Sequence, residues 1–555
     1  MVPGDVLMTR SDRPDKGRTT SSRALWLAFV FFIAVSFAAL TLPDHPGAFS
    51  SAAFLRFPLE IPLMALALLV LPRRMAAVLS VLFALAVFTL LFLKIADIGV
   101  QSAFQRRFNP YLDMKMLADG WNVFSGTLGP WQAGLALGMV VAGFAGVLVL
   151  YFRAELRLIK LTTTQKRGTV IATLALLGIG VALHFAETPM RAEMKALPYL
   201  GNRLALIERS ITDMRQFERD LVARDDAGSG DDLFAGIRGR DVILVFVESY
   251  GRSAVEDPLY SPVTVPRLEN VESALAGAGF AAASGWLVSP TMGGLSWLAH
   301  GTFLSGLWTD SQARYDRLMI SNRQSLNRLF RQAGWRTAAV MPAITMDWPE
   351  ASYFGYDQVF AASDLGYRGK PFNWITMPDQ YTLSAFERLA RQPARASGTP
   401  LMAEIALISS HAPWTPVPRL ISWNDVGDGT VFNSQAESGE TPQTVWSNRD
   451  DIRDHYIRTI DYSLQTLGDY ITRFGDDAVF IVLGDHQPAP IITGPDASRA
   501  VPVHVVSRDA ALIGRFEADG FTASMIPARD APEIPMDTIR ARLVELFGQT
   551  SGPTK

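Results

Sequence analysis

The chain has 555 residues, 49% of them hydrophobic, and its charges nearly balance at a net −3. This balance argues against a nucleic-acid-binding protein, which would carry a basic excess or patch. Because the sequence contains no cysteine, disulfides, thiolate nucleophiles, cysteine metal ligands and nucleophiles made from a cysteine are excluded.

The first 190 residues contain the long apolar runs of the chain. A bilayer core needs about 20 apolar residues as a helix, and we predict five membrane spans, at 24–42, 57–71, 75–95, 131–152 and 168–185. The second run is the shortest and holds Glu60 and Pro62, so it also fits a buried or kinked helix.

Basic residues are concentrated in alternate loops between these runs, which predicts an N-terminus in the cytoplasm. They are Arg10, Arg13, Lys16, Arg18 and Arg23, then Arg73 and Arg74, then Arg153, Arg157, Lys160, Lys166 and Arg167. An odd number of spans places everything after residue 186 outside. This placement depends on the second run being a true crossing.

The predicted organisation has four parts. A cytoplasmic tail (1–23) precedes a transmembrane domain (24–190), a juxtamembrane helix with its linker (191–236) and an extracytoplasmic domain (237–548). Apolar residues recur every three or four positions over 196–222, which predicts one amphipathic helix. The acidic, glycine-containing stretch 225–232 predicts a linker.

From Arg240 onward, short apolar runs alternate with helical patterns. We predict strands at 242–247, 337–341, 402–408 and 479–483, and helices that include 325–333 and 457–474. This alternation predicts an α/β domain with a mixed, mainly parallel sheet covered by helices. In such sheets ligands bind beyond the carboxyl ends of the strands.

Polar residues stand directly after three of these predicted strands. Glu248 follows the first and is either a metal ligand or a helix cap. Asp485 and His486 follow the last, and a carboxylate beside an imidazole suits Mn²⁺, Zn²⁺ or Mg²⁺, although a polar turn is the alternative. His411 follows the strand at 402–408.

A glycine-containing segment lies between the first two predicted strands. Gly293 and Gly294 precede Ser296, and a helical stretch then closes with Ser305 and Gly306. Glycines allow a sharp bend, and a helix N-terminus favours a phosphate. A metal-bound hydroxyl at that place would attack phosphorus. Taken alone, the segment favours Ser296 as a helix cap.

The order of these elements, namely acid, hydroxyl on a glycine loop, histidine and Asp-His, resembles the alkaline phosphatase/sulfatase superfamily. The membrane layout resembles its lipoteichoic acid synthase and phosphoethanolamine transferase branches, which have five spans and an extracytoplasmic catalytic domain. In sulfatases and nucleotide pyrophosphatases, Thr-Gly or Ser-Gly follows the nucleophile by nine and ten residues. Ser305-Gly306 stands at that distance from Ser296, which favours Ser296 over Thr291.

The resemblance implies a role for each of these positions. Glu248, Ser296, Asp485 and His486 are similar to the metal ligands, Ser296 to the nucleophile, and His411 to the histidine of the substrate phosphate or leaving group. One divalent ion is expected, with Mn²⁺ favoured and Zn²⁺ or Mg²⁺ as alternatives. The residues expected to contact substrate are Trp297, His300, Trp348, Glu350 and Trp414. His300, His455 and His504 also fit structural roles.

Three features depart from the family pattern. The two membrane branches use threonine as nucleophile, whereas this chain has Ser296. The Cys/Ser-x-Pro-x-Arg signature of sulfatases is absent, which disfavours formylglycine-type sulfate ester hydrolysis. The Trp-x-Arg element of lipoteichoic acid synthase corresponds to Trp348-Pro349-Glu350, where an acid replaces the arginine; an acid beside a tryptophan suits a cationic headgroup, or it is a surface acid.

The resemblance implies a multi-pass enzyme of the bacterial inner membrane with its catalytic domain in the periplasm. It would move a phosphoglycerol or phosphoethanolamine headgroup from a phospholipid through Ser296 to a glycan or lipid hydroxyl. The alternatives are a membrane-anchored phosphodiester or sulfate-ester hydrolase and a non-catalytic scaffold. A transporter is disfavoured, because only Glu60 and Lys94 interrupt the spans and no repeat is present.

Overall fold

The computed structural model describes residues 22–114, 121, 125, 129–186, 191–223 and 233–549. The predicted linker at 225–232 lies outside the described residues, as does the basic tail up to residue 21. The chain divides into two compact units, Met1–Ile98 with Trp121–Arg203 and Gly99–Gly120 with Leu204–Lys555. The segment 99–120, although it lies between apolar helices in the sequence, therefore clusters with the C-terminal residues.

Apolar helices dominate the first unit. They are α1 (Ser22–Thr41), α2 (Ser51–Phe54), α3 (Glu60–Val70), α4 (Arg73–Phe104), α5 (Pro130–Ile159) and α6 (Thr163–Phe185). Within the described residues, four of them (α1, α4, α5 and α6) are long and apolar enough to cross a membrane. The structure thus gives four of the five predicted spans as long helices.

The second predicted span is the short helix α3. It has 11 residues, a length of about 16 Å, which is less than a bilayer core. The predicted span started at residue 57, but Arg56–Pro58 forms a strand, β1, that pairs in parallel with β2 (Arg191–Glu193). Glu60 is buried, and its Oε1 accepts hydrogen bonds from the backbone amides of Lys195 and Ala196.

The amphipathic helix predicted at 196–222 is confirmed as α7 (Ala196–Val222). Its polar face carries arginine and glutamate, and Met214 and Phe217 are buried in the core of the second unit. A predominantly polar helix of this kind owes its stability to the packing of its apolar stripe.

An eight-stranded mixed sheet organises the second unit. Its strands are β3 (Val242–Val247), β4 (Ala281–Val288), β5 (Arg336–Met341), β6 (Gln358–Ala361), β7 (Leu401–Leu407), β8 (Val479–Gly484), β9 (Ala500–Ser507) and β10 (Glu533–Pro535). Their order is β10-β4-β9-β8-β3-β7-β5-β6. Strand β9 runs antiparallel to both neighbours, and the other pairs are parallel. The predicted mixed, mainly parallel sheet is confirmed, and each of the four predicted strands agrees to within one residue at either end.

Helices cover both faces of the sheet. They are α8 (Arg252–Glu256), α9 (Ser261–Gly277), α10 (Ser296–Ser305), α11 (Gln312–Met319), α12 (Leu326–Gln332), α13 (Ala351–Phe354), α14 (Asp379–Phe386), α15 (Gln392–Ser397), α16 (Asn433–Ala436), α17 (Pro442–Val445), α18 (Arg449–Phe474), α19 (Pro490–Thr493), α20 (Ala510–Ala518) and α21 (Ile539–Gly548). Along β3, Ile243 and Val245 face one apolar core, whereas Leu244 and Phe246 face the other. This alternation is the period of a strand buried on both sides.

Candidate active site

The central three strands of the sheet end side by side. Strand β3 pairs in parallel with β8 on one side and with β7 on the other. Glu248 follows β3, Asp485 and His486 follow β8, and His411 lies four residues beyond β7. The sheet therefore brings the predicted strand-end residues to one edge, where parallel α/β sheets bind ligands.

Two carboxylates and an imidazole meet at this edge. Ligand atoms of Glu248, Asp485 and His486 all lie within 4.8 Å of one another, and all three residues are buried. Nε2 of His486 is 3.3 Å from Oε1 of Glu248 and 3.8 Å from Oδ2 of Asp485. Its Nδ1 is 2.9 Å from the carbonyl oxygen of Gln487. A carbonyl only accepts, so Nδ1 carries the proton and Nε2 faces the carboxylates.

The backbone around Glu248 holds both carboxylates in place. The amide of Ser249 donates to Oδ1 of Asp485 at 2.8 Å, and its hydroxyl donates to Oε1 of Glu248 at 2.9 Å. Ser249 has a φ of 57°, a conformation that non-glycine residues adopt rarely. The hydroxyl of Tyr456 donates to the carbonyl of Ser249 at 3.0 Å. Tyr456 thus supports this turn.

Ser296 is the first residue of α10 and follows a turn of unusual backbone conformation. Gly293, Gly294 and Leu295 have φ values of 72°, 140° and 64°. The hydroxyl of Thr291 donates to the carbonyl of Gly294 at 2.7 Å. Thr291 is therefore used inside the turn, whereas the turn leaves Ser296 at the helix N-terminus. No side-chain cap hydrogen bond is made by Leu295, the residue before the helix.

The Ser296 turn is joined to the loop that carries Asp485 and His486. The amide of Gly293 donates to the carbonyl of Gln487 at 2.8 Å, and the hydroxyl of Ser289 donates to the carbonyl of Asp485 at 2.6 Å. Oγ of Ser296 lies 3.0 Å from Oε2 of Glu248 and 3.2 Å from Nε2 of His486. The hydroxyl, one carboxylate and the imidazole thus form a single contact group.

Residues of the segment 99–120 support the same turn. A Cβ atom on Gly293 would clash with the carbonyl oxygen of Ala103, and one on Gly294 would touch the ring of Phe104. Nε2 of Gln105 donates to the carbonyl of Gly494 at 2.7 Å, in the loop beyond Asp485 and His486. Only glycine fits at position 293 in this arrangement.

Burial and mutual charge set the protonation of the cluster. Burial would raise the pKa of Glu248, but the charge of His486 and its hydrogen bond hold that pKa well below its ordinary value. Burial raises the pKa of Asp485 to about 7, and the charge of Glu248 adds to this effect. Burial opposes the charged form of His486, but Asp485 and Glu248 outweigh it and raise its pKa to about 9.

This donor set fits a divalent cation. Two buried carboxylates in contact with one imidazole hold protons that a cation would replace, and the carbonyl bond at Nδ1 is the usual support for a histidine ligand. Glu248, Asp485 and His486 would hold the ion, with Ser296 Oγ beside them. Oxygen ligands with one nitrogen suit Mn²⁺, Zn²⁺ or Mg²⁺.

His411 is stacked on a tryptophan that the sequence did not single out. Its ring centroid is 4.0 Å from that of Trp374, with an interplanar angle of 19°. Nδ1 of His411 donates to the carbonyl of Ala412 at 2.6 Å. Because β7 runs parallel to β3 and His411 lies four residues beyond β7, His411 is at the same edge of the sheet as the cluster.

The remaining residues predicted to contact substrate have different surroundings. Trp297 is 40% exposed beside Ser296, and its Nε1 donates to Gln312. Trp348 is half-buried against Phe354 and Tyr356.

Glu350 and Trp414 were also predicted to contact substrate, and both are at least partly buried. Glu350 precedes α13, is half-buried and makes no side-chain cap bond. Trp414 is only 3% exposed, and its Nε1 donates to the carbonyl of Ser410 at 2.7 Å. The structure therefore gives Trp414 a packing role beneath the His411 loop.

His300 belongs to a buried polar group that the sequence analysis missed. Its Nδ1 is 2.6 Å from Oε1 of Glu404, whose other oxygen accepts from the hydroxyl of Tyr356. The ring of His300 stacks on Phe246 at 3.8 Å. Glu404 is an acid inside the otherwise apolar strand β7, and that isolated charge is the sequence signal that marks the group.

His504 and His455 have structural surroundings. His504 is fully buried, 3.1 Å from the hydroxyl of Tyr250 and 2.7 Å from that of Ser284. His455 contacts the backbone carbonyl of Asp451 one helical turn away.

Comparison with known proteins gives one match to a family model, and it lies in the second unit. Residues 240–496 match the family model described as Sulfatase. No curated protein matches the chain significantly.

Three solved structures illustrate the structural similarity. The lipoteichoic acid synthase LtaP from Listeria monocytogenes is 14% identical over 60% of this chain and 78% of its own, with a TM-score of 0.37. The C-terminal periplasmic domain of EptC from Escherichia coli is 12% identical over 59% and 84%, with a TM-score of 0.37. The Streptococcus pyogenes phosphoglycerol transferase GacH, solved with sn-glycerol-1-phosphate, is 12% identical over 61% and 90%, with a TM-score of 0.36.

Proposed function

We propose that this chain, whose residues 240–496 match the sulfatase family model, is a metal-dependent phosphotransferase of the alkaline phosphatase superfamily with Ser296 as its nucleophile. In this proposal it moves a phospho-headgroup from a membrane phospholipid to an acceptor hydroxyl of a glycan or lipid.

One observation carries the proposal. Oγ of Ser296 lies 3.0 Å from Glu248 and 3.2 Å from His486, at the start of a helix and at the carboxyl edge of the sheet. A hydroxyl at a helix N-terminus meets a phosphate where backbone amides already favour negative charge. A scaffold without catalysis would have no need to bury two acids and an imidazole around that hydroxyl.

The sequence around Ser296 also favours phosphoryl over formylglycine-type sulfate chemistry. The chain has no cysteine from which formylglycine could be made, and Ser296 is followed by Trp297, Leu298 and Ala299 rather than by the sulfatase signature. A bound divalent ion would stabilise negative charge on the nucleophile and on the transferred phosphoryl oxygens. Glu248, Asp485 and His486 are the residues that would hold it.

The first half-reaction uses the chain's own groups in simple roles. Ser296 Oγ forms a bond to phosphorus while the bond from phosphorus to the lipid alcohol breaks. The hydroxyl proton passes along its hydrogen bond to Oε2 of Glu248 as this bond forms, and it returns to Oγ when the bond to phosphorus breaks in the second half-reaction. His411 gives a proton to the departing alcohol through Nε2, since Nδ1 is engaged with Ala412. The phospho-headgroup remains on Ser296.

The second half-reaction reverses these roles. His411 takes a proton from the acceptor hydroxyl, whose oxygen attacks phosphorus, and the bond to Ser296 breaks. The four long apolar helices suit a donor that resides in the bilayer. We place the catalytic unit in the periplasm of a bacterium, with the helices in the inner membrane, so that donors in the outer leaflet are within reach.

Intact-mass analysis of the full chain tests the proposal. The purified protein is incubated in Mn²⁺ with phosphatidylglycerol or phosphatidylethanolamine, beside Ser296→Ala and Thr291→Ala. We expect a metal-dependent adduct on the wild type and on Thr291→Ala, mapped to the peptide of Ser296 and absent from Ser296→Ala. The mass of the adduct names the headgroup.

Two other outcomes would favour the alternative hypotheses, a hydrolase or a protein without catalytic activity. Cleavage of an artificial phosphodiester without any transfer to an alcohol would favour a hydrolase, because water would then be the acceptor. An absence of adduct, cleavage and bound metal would overturn the enzyme reading altogether.

A further inference from the structure

Trp374 is an exposed side chain placed against His411. Its indole is 53% exposed, although one face is stacked on the imidazole at 4.0 Å between ring centroids. A single exposed aromatic residue is common on protein surfaces, but the ring of Trp374 is stacked on a histidine of the candidate site.

The turn that carries Trp374 is fixed at both ends. Phe372 and Ile375 are fully buried and exchange two backbone hydrogen bonds, of 2.8 and 3.1 Å. Between them, Asn373 has a φ of 57°, and its Nδ2 donates to the carbonyl of Thr415 at 2.5 Å. The fold therefore presents Trp374 on a short turn tied to the loop of His411.

His411 is held by two contacts that leave one nitrogen free for chemistry. The hydrogen bond from Nδ1 to Ala412 sets the rotation of the imidazole, and the stack on Trp374 sets its plane. Aromatic rings attract one another beyond the effect of the area they bury, so the stack favours one orientation of the imidazole. Among the described residues, Nε2 of His411 has no hydrogen-bond partner.

We infer that Trp374 is the positioning residue of His411 and forms the aromatic wall of the place where the alcohol leaves and the acceptor enters. The inference rests on the proposed function, in which His411 serves that alcohol in both half-reactions. One face of the indole holds the imidazole, and the exposed remainder contacts the carbon skeleton of the alcohol. The site therefore selects alcohols that offer an apolar or ring surface beside the reacting oxygen.

Two donors with one headgroup but different leaving alcohols test this inference in the full chain. A phospholipid releases an alkoxide that needs a proton, whereas a p-nitrophenyl diester releases a phenolate that does not. For Trp374→Leu we expect adduct formation from the phospholipid to slow by about 10–100-fold, and from the p-nitrophenyl diester by less than about 3-fold. Trp374→Phe, which keeps an aromatic face, is expected to restore most of the phospholipid rate.

A double-mutant cycle measures the coupling between Trp374 and His411 in the rate of adduct formation. A residue that only stabilises the fold would show no such coupling. In a His411→Asn background, Trp374→Leu is expected to cause a much smaller loss with the phospholipid than it causes in the wild type, because the positioning of His411 is already removed and only the contact with the alcohol remains to be lost. Ile320→Ala, at another highly exposed apolar position, is the control and is expected to match the wild type.

Three outcomes would overturn the inference. They are equal slowing with both donors, no slowing with either, and losses that add in the double mutant. If no adduct accumulates, steady-state cleavage of the two diesters gives the same comparison. A wild type that cleaves neither diester would instead overturn the proposed function, so the two failures are distinguishable.

Discussion

Oγ of Ser296 donates to Oε2 of Glu248 at 3.0 Å, across 48 positions of sequence. The proposed nucleophile and a proposed metal ligand therefore share one contact, and a change at either position has a defined consequence.

Replacing Glu248 by glutamine is expected to weaken metal binding by at least about 100-fold, because the buried site loses one of its two negative charges. The measurement is metal content after dialysis at a fixed free Mn²⁺ concentration, together with phosphodiester cleavage.

Glu269→Gln, at an exposed position on α9, controls for the loss of one surface carboxylate. Metal content equal to that of the wild type in Glu248→Gln would show that Glu248 is not a ligand.

Gly293→Ala is expected to destabilise the second unit by about 1–3 kcal/mol and to abolish turnover. Alanine at a φ of 72° is strained, and its Cβ would clash with Ala103. Thermal unfolding and the adduct assay measure the two effects.

Gly514→Ala is the matched control. Gly514 lies inside α20, and no atom is within 4 Å of the position its Cβ would take. That variant is expected to be stabilised by about 0.5–1 kcal/mol. Full activity in Gly293→Ala would mean that the turn does not set the position of Ser296.

Acid is expected to destabilise the protein through His504. Burial lowers the pKa of His504 from 6.5 to about 3. Between these two pH values the histidine is protonated in the unfolded chain and neutral in the folded chain. Stability is fully present above pH 6.5 and is lost as the pH falls towards 3. Between pH 7.5 and 5.0 this histidine accounts for about 2 kcal/mol.

His504→Gln keeps a polar side chain beside Tyr250 and Ser284 and removes the titration. We expect its unfolding free energy to fall less between pH 7.5 and 5.0 than that of the wild type. An identical pH dependence in both proteins would show that His504 does not carry the effect.

The absence of cysteine makes the membrane topology directly measurable. Four crossing helices would return the chain to its starting side. A second unit opposite the N-terminus would require a fifth crossing, which α3 with its 11 residues would have to make together with the residues that flank it. We expect an impermeant maleimide to label Ala396→Cys, on exposed α15, in spheroplasts.

Arg74→Cys, at the start of α4, is expected to be labelled only after lysis. Labelling of Arg74→Cys and protection of Ala396→Cys in intact spheroplasts would place the second unit in the cytoplasm and would contradict the predicted orientation.

The sequence predicted the strand ends because buried parallel strands are continuous apolar runs, and the residue that breaks each run is visible. Glu248 and the Asp485-His486 pair are such breaks. Trp374 was not predictable in this way, since it stands 37 positions before His411 in an irregular turn and only the tertiary fold brings the rings together. Glu404 interrupts an apolar run as well, but inside the strand rather than at its end.

The second span was predicted from hydropathy alone, which does not register backbone pairing. Residues 56–58 pair with 191–193 as strand β1, so they are not part of the helix, and Glu60 at the start of α3 accepts a hydrogen bond from the backbone of Ala196. The burial of Trp414 was not predictable from the sequence either, because the sequence does not show whether a single aromatic residue in a loop faces the solvent or the core.

The segment 99–120 matters for any truncation of this protein and for exchange of its domains between homologues. Ala103 and Gln105 contact the loops that follow or carry residues of the candidate site, so two separate segments of the chain, 99–120 and 204–555, form the second unit. A fragment that starts after the last apolar helix would lack the segment 99–120, and the contact of Ala103 with Gly293 would be lost. Exchange of residues 204–555 alone between homologues would therefore separate the candidate site from a segment of its own unit.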